Sequence, residues 1–272
     1  MPHLSVSTWS LHRALGRPAF YGPEQVGQFG SLPTQPAQMS LLELPARIAA
    51  FGIHSLDLCH FHLPACDVGY LAEFKQALAA AGVTLWCLLI DSGDITHPAD
   101  GQCDLVWTQD WIQYAGLLGA KTARVIAGKR KPTKEALELS LARLQFLAMQ
   151  AETFGVKLVV ENWFDLLAEP EQVHWLLEKM DGKLGLKLDF GNWRQPNKYE
   201  RLAQIAPYAE STHAKASFSS AYQIERDDFV RCLEITKACG FAGPHTMIYD
   251  DAAGEDEWRG LQVEKDIVAG YL

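Results

Sequence analysis

Three short apolar runs in the middle of the chain each lead to a residue that can bind a metal ion. These residues are Glu161 after KLVV, Asp189 after LGLKL and His213 in ESTHAKA. Two carboxylates and an imidazole suit Mn²⁺, Mg²⁺, Co²⁺ or Zn²⁺, and the ligand set alone does not choose among them. A single acidic residue after a strand is more often a helix cap or a solvated loop residue. Three ligand-type residues in corresponding positions predict a metal site.

Two lysines alternate with these residues. Lys187 precedes Asp189 by two positions, and Lys215 follows His213 by two. Residues two apart in a strand face the same side, so each lysine is expected to point into the same space as its neighbouring ligand. A buried lysine needs a carboxylate or a substrate oxygen. The alternative to a metal site is therefore a polar cluster in which the lysines pair with the carboxylates.

The segments that position these residues repeat a strand and a helix along the whole chain. Short apolar runs bounded by Gly, Asn or Pro alternate with helical segments, which predicts eight strands, with the fourth at 121–128 and the eighth at 245–250. Eight such units predict one α/β domain over residues 1–272, a closed parallel (β/α)8 TIM barrel. An open doubly wound sheet is the alternative, but no glycine-rich phosphate motif follows the first strand. The strand ends that carry the ligands then meet at the carboxyl face of the barrel, where active sites are built.

The segment at 12–40 departs from this pattern. It is rich in Gly and Pro and shows neither a helical nor a strand period. A loop of this length inside a compact domain is usually functional or disordered. Its aromatic residues Phe20, Tyr21 and Phe29 favour a lid or an interaction arm, which closes its own barrel or reaches a neighbouring copy in a homo-oligomer.

The overall composition argues against several classes of function. The formal net charge of −9 is unfavourable for a surface that binds nucleic acid through its phosphates. No apolar run approaches the roughly 20 residues of a membrane span, and the segment MPHLSVSTWS lacks the pattern of a signal peptide. The six cysteines form no C-x-x-C pair and are expected to be reduced thiols. A cytoplasmic protein that acts on a small molecule is expected.

The motifs ENW, LKLDFGNW and HAKA resemble those of the xylose-isomerase-like barrels, the sugar phosphate isomerase/epimerase superfamily. The resemblance implies a TIM barrel, a divalent metal and proton transfer at a carbon beside the carbonyl of a free or phosphorylated sugar. It also implies that Glu161, Asp189 and His213 bind the metal, since members of the family have ligands after strands five, six and seven.

Two positions depart from the family pattern. Members commonly have a glutamate at the end of strand eight, where this chain reads HTMIYDD and places Ile248 and Tyr249. Asp250 is the remaining candidate for a fourth metal ligand if the strand extends by one residue, although a shift of one residue reverses the facing. Many members also have a histidine where this chain has Asn192. The missing glutamate leaves epimerisation without a base on the second face.

Several further residues are candidates for contacts with a substrate. His60 and His62 bracket Phe61 in the predicted strand-two loop, so they are expected to share a face, while a bond to a loop carbonyl is the structural alternative. Four tryptophans at strand ends either stack on a sugar ring or form ordinary wall packing, and Asp57 is expected to have a polar role in the core. The predicted substrate contacts are Trp9, His60, His62, Asn162, Trp163, Asn192 and Trp193, with Trp86 as the fourth tryptophan.

The resulting hypothesis is a metal-dependent isomerase or epimerase of a sugar or sugar phosphate. The metal polarises the substrate oxygens, Glu161 moves the proton, and Lys187 or Lys215 stabilises the enediolate oxygen. One alternative is a barrel that has lost the chemistry and binds a sugar-like ligand or a partner protein. An abasic-site endonuclease is a third possibility, which the acidic net charge and the sparse ligand set disfavour.

Overall fold

A computed structural model describes residues 1–16, 21–25, 36–250 and 254–272. Its strands are β1 (His3–Ser7), β2 (Ser55–Cys59), β3 (Thr84–Leu89), β4 (Thr122–Arg124), β5 (Lys157–Glu161), β6 (Leu184–Asp189), β7 (Ala209–Lys215), β8 (Phe218–Ser220), β9 (Gln223–Ile224) and β10 (Pro244–Ile248). Its helices are α1 (Leu44–Ala50), α2 (Val68–Ala81), α3 (Gly101–Leu118), α4 (Lys134–Thr153), α5 (Pro170–Met180), α6 (Lys198–Ile205), α7 (Arg226–Ala238) and α8 (Glu257–Val268).

Eight of these strands close into a parallel barrel in the order β1-β10-β7-β6-β5-β4-β3-β2. A helix follows each barrel strand along the chain, so the predicted (β/α)8 TIM barrel is confirmed. The strands β8 and β9 form a separate antiparallel hairpin between β7 and α7. Buried apolar side chains from the strands and helices form one continuous core.

The strand register brings the carboxyl ends of β5, β6 and β7 to one face. Glu161 pairs with Lys187 across β5 and β6, and Asp189 pairs with His213 across β6 and β7. Because side chains alternate along a strand, Lys187 and Asp189 both point into the barrel at successive levels. The fold therefore places the three candidate ligands together at the barrel mouth.

Helix ends follow local sequence signals. Asp67 accepts a hydrogen bond from Tyr70 N at the start of α2, and Thr133 accepts one from Ala136 N at the start of α4. The helix α2 ends at Gly82 with φ of 65°, a left-handed conformation that glycine adopts without a steric penalty. These caps fix where each helix turns back towards the next strand.

Strand boundaries differ from the sequence-based expectation in two places that affect the site. The fourth strand was expected at 121–128 but ends at Arg124, although the apolar run Val125, Ile126 and Ala127 stays buried. An apolar run indicates that residues are buried, and here the chain stays buried after the strand has ended. The apolar run therefore predicted a strand that is too long. The eighth barrel strand was expected at 245–250 and ends at Ile248.

The predicted loop at 12–40 lies partly outside the described residues, which omit 17–20 and 26–35. Its described part packs against the barrel. Tyr21 is buried against the rings of His60 and Trp111. Gln38 N and Met39 N both donate hydrogen bonds to the carbonyl oxygen of Ala14. The role of this segment as a lid or interaction arm stays a prediction.

Within the described ranges, no helix combines the length and the apolar character needed to cross a lipid bilayer. All six cysteines are free thiols, and Cys59, Cys87 and Cys232 are buried.

Candidate metal centre

The side chains of Glu161, Asp189 and His213 converge at the carboxyl end of the barrel. Each offers a ligand atom, and these atoms lie within 4.8 Å of one another. His213 Nδ1 is 3.2 Å from Glu161 Oε2 and 3.6 Å from Asp189 Oδ2. All three side chains are buried, with at most 6 % of any residue exposed. We refer to these three residues as the ligand cluster.

Hydrogen bonds from the loop after β6 orient both carboxylates of the ligand cluster. Gly191 N and Asn192 N donate to Asp189 Oδ1 over 2.6 and 2.7 Å. The Asn192 side chain donates to Glu161 Oε1 over 2.6 Å. Each carboxylate thus has one oxygen held by the protein, while its other oxygen faces His213 Nδ1. Asn192 occupies the position where a family histidine was noted, and here it holds Glu161.

Two charged residues that the sequence analysis did not single out extend this site. Arg124, at the end of β4, lies with its Nε 3.3 Å from Glu161 Oε2, and its Nη2 pairs with Asp91. Its Nη1 donates to the carbonyl oxygen of Ile90, and its guanidinium lies over the Trp163 ring. Asp91 directly follows the apolar run TLWCLLI, just as Glu161 follows KLVV. This position could have identified Asp91 as a candidate site residue from the sequence.

These contacts shift the pKa values of Glu161 and His213 in opposite directions. Burial acts to raise the pKa of Glu161, but His213 and Arg124 outweigh it and lower that pKa to about 2. Burial likewise acts to lower the pKa of His213, but the neighbouring Glu161 carboxylate raises it to about 10. At neutral pH without a metal, His213 therefore carries the proton that balances part of the negative charge.

The charge of the barrel interior fits a divalent cation. Four buried carboxylates face two residues that are formally positive: Asp57, Asp91, Glu161 and Asp189 against Arg124 and Lys187. Buried charges need compensation, and one divalent ion beside a neutral His213 supplies it. Among the described residues, the buried Glu161 Oε2 makes no hydrogen bond, although His213 Nδ1 and Arg124 Nε lie 3.2 and 3.3 Å away. The donor set, the charge and this oxygen are all consistent with a metal at the ligand cluster.

An apolar side chain takes the place expected for a fourth ligand. Ile248, at the end of β10, lines the mouth and pairs in register with Lys215. Tyr249 packs away from the mouth, against the rings of Phe218 and Tyr222. The Asp250 carboxylate accepts a hydrogen bond from Lys215 Nζ over 2.7 Å and is not part of the ligand cluster. Its role as a metal ligand stays a prediction.

The two lysines predicted beside the ligands have different surroundings. Lys215 lines the mouth with 32 % of its side chain exposed. Burial acts to lower its pKa, but Asp250 outweighs that effect and raises it. Lys187 is fully buried below the ligand cluster and donates to Asp57 Oδ2 over 2.6 Å. Of the two, Lys215 is placed to contact a substrate directly.

A cavity of about 60 Å³ opens above the ligand cluster at the barrel mouth. Trp9, Trp163 and Asn192 contribute to its wall. Trp193 lies outside this wall and donates from its indole nitrogen to the Leu167 carbonyl oxygen. Trp86 contacts His3, which begins β1 at the opposite end of the barrel.

His60, His62 and Asn162 are turned towards the protein. His60 and His62 form a 3-10 turn, so the alternation of a strand does not apply to them. His60 Nε2 donates to the Tyr21 carbonyl oxygen, and His62 contacts Thr8 Oγ1 and the His12 ring. The Asn162 amide exchanges two hydrogen bonds with the backbone of Asp189, which fixes the end of β6. Substrate contacts by these three residues stay predictions.

Comparisons with known proteins agree with this architecture. The D-psicose 3-epimerase of Clostridium cellulolyticum H10, whose structure contains D-tagatose, superimposes with a TM-score of 0.67 at 14 % identity, over 86 % of this chain and 93 % of that one. The 3-keto-D-glucoside 4-epimerase of E. coli superimposes with a TM-score of 0.64 at 15 % identity, over 85 % of this chain and 94 % of that one.

A xylose isomerase-like barrel protein of Mycobacterium smegmatis, in complex with magnesium, superimposes with a TM-score of 0.63 at 16 % identity, over 93 % of this chain and 100 % of that one. Identities this low show a shared fold. No curated protein sequence matches the chain. The family model of the xylose isomerase-like TIM barrel matches residues 45–248, three quarters of the sequence, in agreement with the resemblance of its motifs. The chain belongs to the xylose isomerase-like TIM barrel family.

Proposed function

We propose that this protein is a metal-dependent isomerase or epimerase of sugars. The convergence of Glu161, Asp189 and His213 within 4.8 Å carries the proposal, since carboxylates and imidazole at the carboxyl face of a barrel form a divalent-metal site. Similarity to sugar epimerases and to a magnesium-bound barrel supports it. The metal is one of Mn²⁺, Mg²⁺, Co²⁺ and Zn²⁺.

The ligand cluster would hold the ion through two carboxylates and one imidazole. A bound divalent ion supplies Lewis acidity, which polarises a carbonyl and makes the adjacent C–H more acidic. Glu161 is the residue placed to take that proton, because its carboxylate lines the cavity and Asn192 holds it in place. The electron pair of the broken C–H bond then forms the enediolate.

Return of the proton decides between isomerisation and epimerisation. In an aldose–ketose isomerisation, Glu161 returns the proton to the neighbouring carbon while the hydroxyl proton on the first carbon passes to the former carbonyl oxygen, so one base on one face is enough. Epimerisation needs a second acid on the opposite face, where β10 offers Ile248. Lys215 is the candidate for that second role, as well as for stabilising the enediolate oxygen. The single carboxylate base favours isomerisation.

The charges that line the cavity favour a sugar without a phosphate group. Among the described lining residues, Arg124 and Lys215 are the permanent cations. Arg124 is paired with Asp91 and Glu161, and Lys215 with Asp250. A phosphate dianion needs positive charge or backbone donors that are not already neutralised. A free sugar is therefore the substrate class proposed for this cavity.

A second candidate function is binding of a sugar-like ligand without catalysis. Two observations favour it. The apolar Ile248 lies at the place expected for a fourth metal ligand, and the Arg124 guanidinium is already close to Glu161. Arg124 then takes the place of the metal as the partner of Glu161. The endonuclease alternative has less support, because the described residues hold one group of three potential ligands and the net charge is −9.

Metal binding should release about one proton at neutral pH, because the pKa of His213 is raised to about 10 and the ion must displace that proton. Affinity for Mn²⁺ should therefore rise about tenfold per pH unit between about pH 6 and 8. Isothermal titration calorimetry in buffers of different ionisation enthalpy measures both quantities. His174→Gln, which changes a half-buried histidine on α5 far from the ligand cluster, is the matched control and should leave proton release unchanged.

Mn²⁺ affinity that does not change with pH would show that His213 is not the ligand. If less than about a tenth of an equivalent binds at saturating Mn²⁺ or Zn²⁺, the binding-only function replaces the isomerase. The cytoplasmic location and the homo-oligomer suggested by the sequence stay predictions.

A further inference from the structure

A buried ion pair lies below the ligand cluster and takes no direct part in the proposed chemistry. Lys187 on β6 donates from Nζ to Asp57 Oδ2 on β2 over 2.6 Å, and both side chains are fully buried. The interior of such barrels is usually filled by branched apolar side chains. Burying two charges is unfavourable before their attraction is counted, so the pair is weak evidence for stability. We call Lys187 and Asp57 the buried pair.

The buried pair faces one edge of the His213 ring, while the ligand cluster faces the other. Asp57 Oδ2 is 3.5 Å from His213 Nε2, which is longer than an ordinary hydrogen bond, and the buried Nε2 makes no hydrogen bond within the described residues. On the opposite edge, Nδ1 lies 3.2 Å from Glu161 Oε2 and 3.6 Å from Asp189 Oδ2. The two ring nitrogens therefore have separate carboxylate neighbours.

We propose that Asp57, held in place by Lys187, is a positioning residue that keeps the proton of His213 on Nε2 and leaves Nδ1 to bind the metal. Metal-bound histidines generally donate their second ring N–H to a carboxylate or carbonyl, which fixes both the tautomer and the ring orientation. This inference rests on the proposed function, since it assigns a ligand atom within the same site.

Lys187 explains why a carboxylate can occupy this position. An unpaired Asp57 would add a fourth carboxylate to a barrel interior in which Glu161, Asp189 and Asp91 already share the positive charges of Arg124 and His213. Lys187 neutralises it locally. Lys187 also lies two residues before Asp189 and pairs in register with Glu161, so the strand that carries one ligand also carries the anchor of Asp57.

Removing the two charges together tests this role with the least harm to folding. The variant Asp57→Leu/Lys187→Met replaces the buried pair by apolar side chains of similar size, a change that is often neutral for stability. Affinity for Zn²⁺ should fall about 10- to 100-fold. In the Zn²⁺-loaded wild type, proton NMR should show a slowly exchanging His213 Nε2–H signal, and this signal should exchange rapidly with solvent in the variant. Circular dichroism and thermal melting establish that the variant is folded.

The matched control removes an ion pair at the opposite end of the barrel. Lys157→Met/Glu210→Gln changes a partly exposed pair between β5 and β7 and should leave both readouts unchanged. The single variant Asp57→Asn keeps side-chain size and gives a second test if the double variant does not fold. It should weaken Zn²⁺ binding about tenfold.

The inference is overturned if either folded variant binds Zn²⁺ as tightly as the wild type and retains the slow Nε2–H signal. That result leaves the proposed function intact. A wild type that binds no Zn²⁺ or Mn²⁺ overturns the proposed function itself, together with the inference that rests on it. Comparison of the wild type with the variants therefore separates the two failures.

Discussion

Glu161→Gln should lower kcat/KM for sugar isomerisation by about 10³-fold, equivalent to ~4 kcal/mol of transition-state stabilisation. Glutamine keeps the size of the side chain and can still accept the hydrogen bond from Asn192, but it cannot take a proton from carbon. It is also a weaker metal ligand than a carboxylate. Incorporation of solvent deuterium at the carbon beside the carbonyl, followed over a panel of ketohexoses, measures the proton-transfer step.

The control for this change is Glu210→Gln, which makes the same substitution at the start of β7, at the other end of the barrel. It should leave kcat/KM within about twofold, because Glu210 pairs with Lys157 at an exposed position. If Glu161→Gln exchanges deuterium as fast as the wild type at equal metal occupancy, Glu161 is not the base.

Asp57→Leu alone should reduce the free energy of unfolding by about 3–5 kcal/mol, because it leaves the Lys187 ammonium buried without its carboxylate. Urea unfolding measures this loss as a lower midpoint with an unchanged slope. Addition of Lys187→Met should recover most of the loss, since the double variant contains no unpaired charge. A loss below about 1 kcal/mol for Asp57→Leu would mean that water or another group compensates Lys187, against the full burial of the pair.

The barrel and its ligand cluster could both be predicted from the sequence because they depend on local patterns. Alternation of apolar runs and helices fixes a parallel sheet, and its carboxyl strand ends necessarily share one face. Glu161, Asp189 and His213 each stand at such an end, so no long-range information was needed to bring them together. The absence of a glutamate on the last strand was also visible, and the structure shows Ile248 there.

The partners of the charged residues could not be predicted in the same way. The sequence indicated that Lys187 faces the barrel interior and needs an acceptor, but Asp57 lies 130 residues away on the opposite side of the barrel. Arg124 was missed because it lies within the apolar run TARVIA, where a strand was expected to continue. The strand ends at Arg124 instead, so this residue stands at the mouth beside Glu161.

The two histidines after β2 illustrate a different limit. Their shared face was inferred from the alternation of an extended chain, whereas His60 and His62 form a 3-10 turn. That turn directs His60 towards Tyr21 in the long first loop and His62 towards Thr8 and His12. Loop conformation depends on tertiary contacts, which spacing alone does not report.

A crystal structure of the protein grown with Mn²⁺ tests the central claim most directly, because anomalous scattering locates the ion. We expect one anomalous peak at the mouth, about 2.0–2.3 Å from Glu161 Oε2, Asp189 Oδ2 and His213 Nδ1, with water in the remaining positions. A map with no peak at the ligand cluster, and with Arg124 still beside Glu161, would contradict the account and assign the site to metal-free binding.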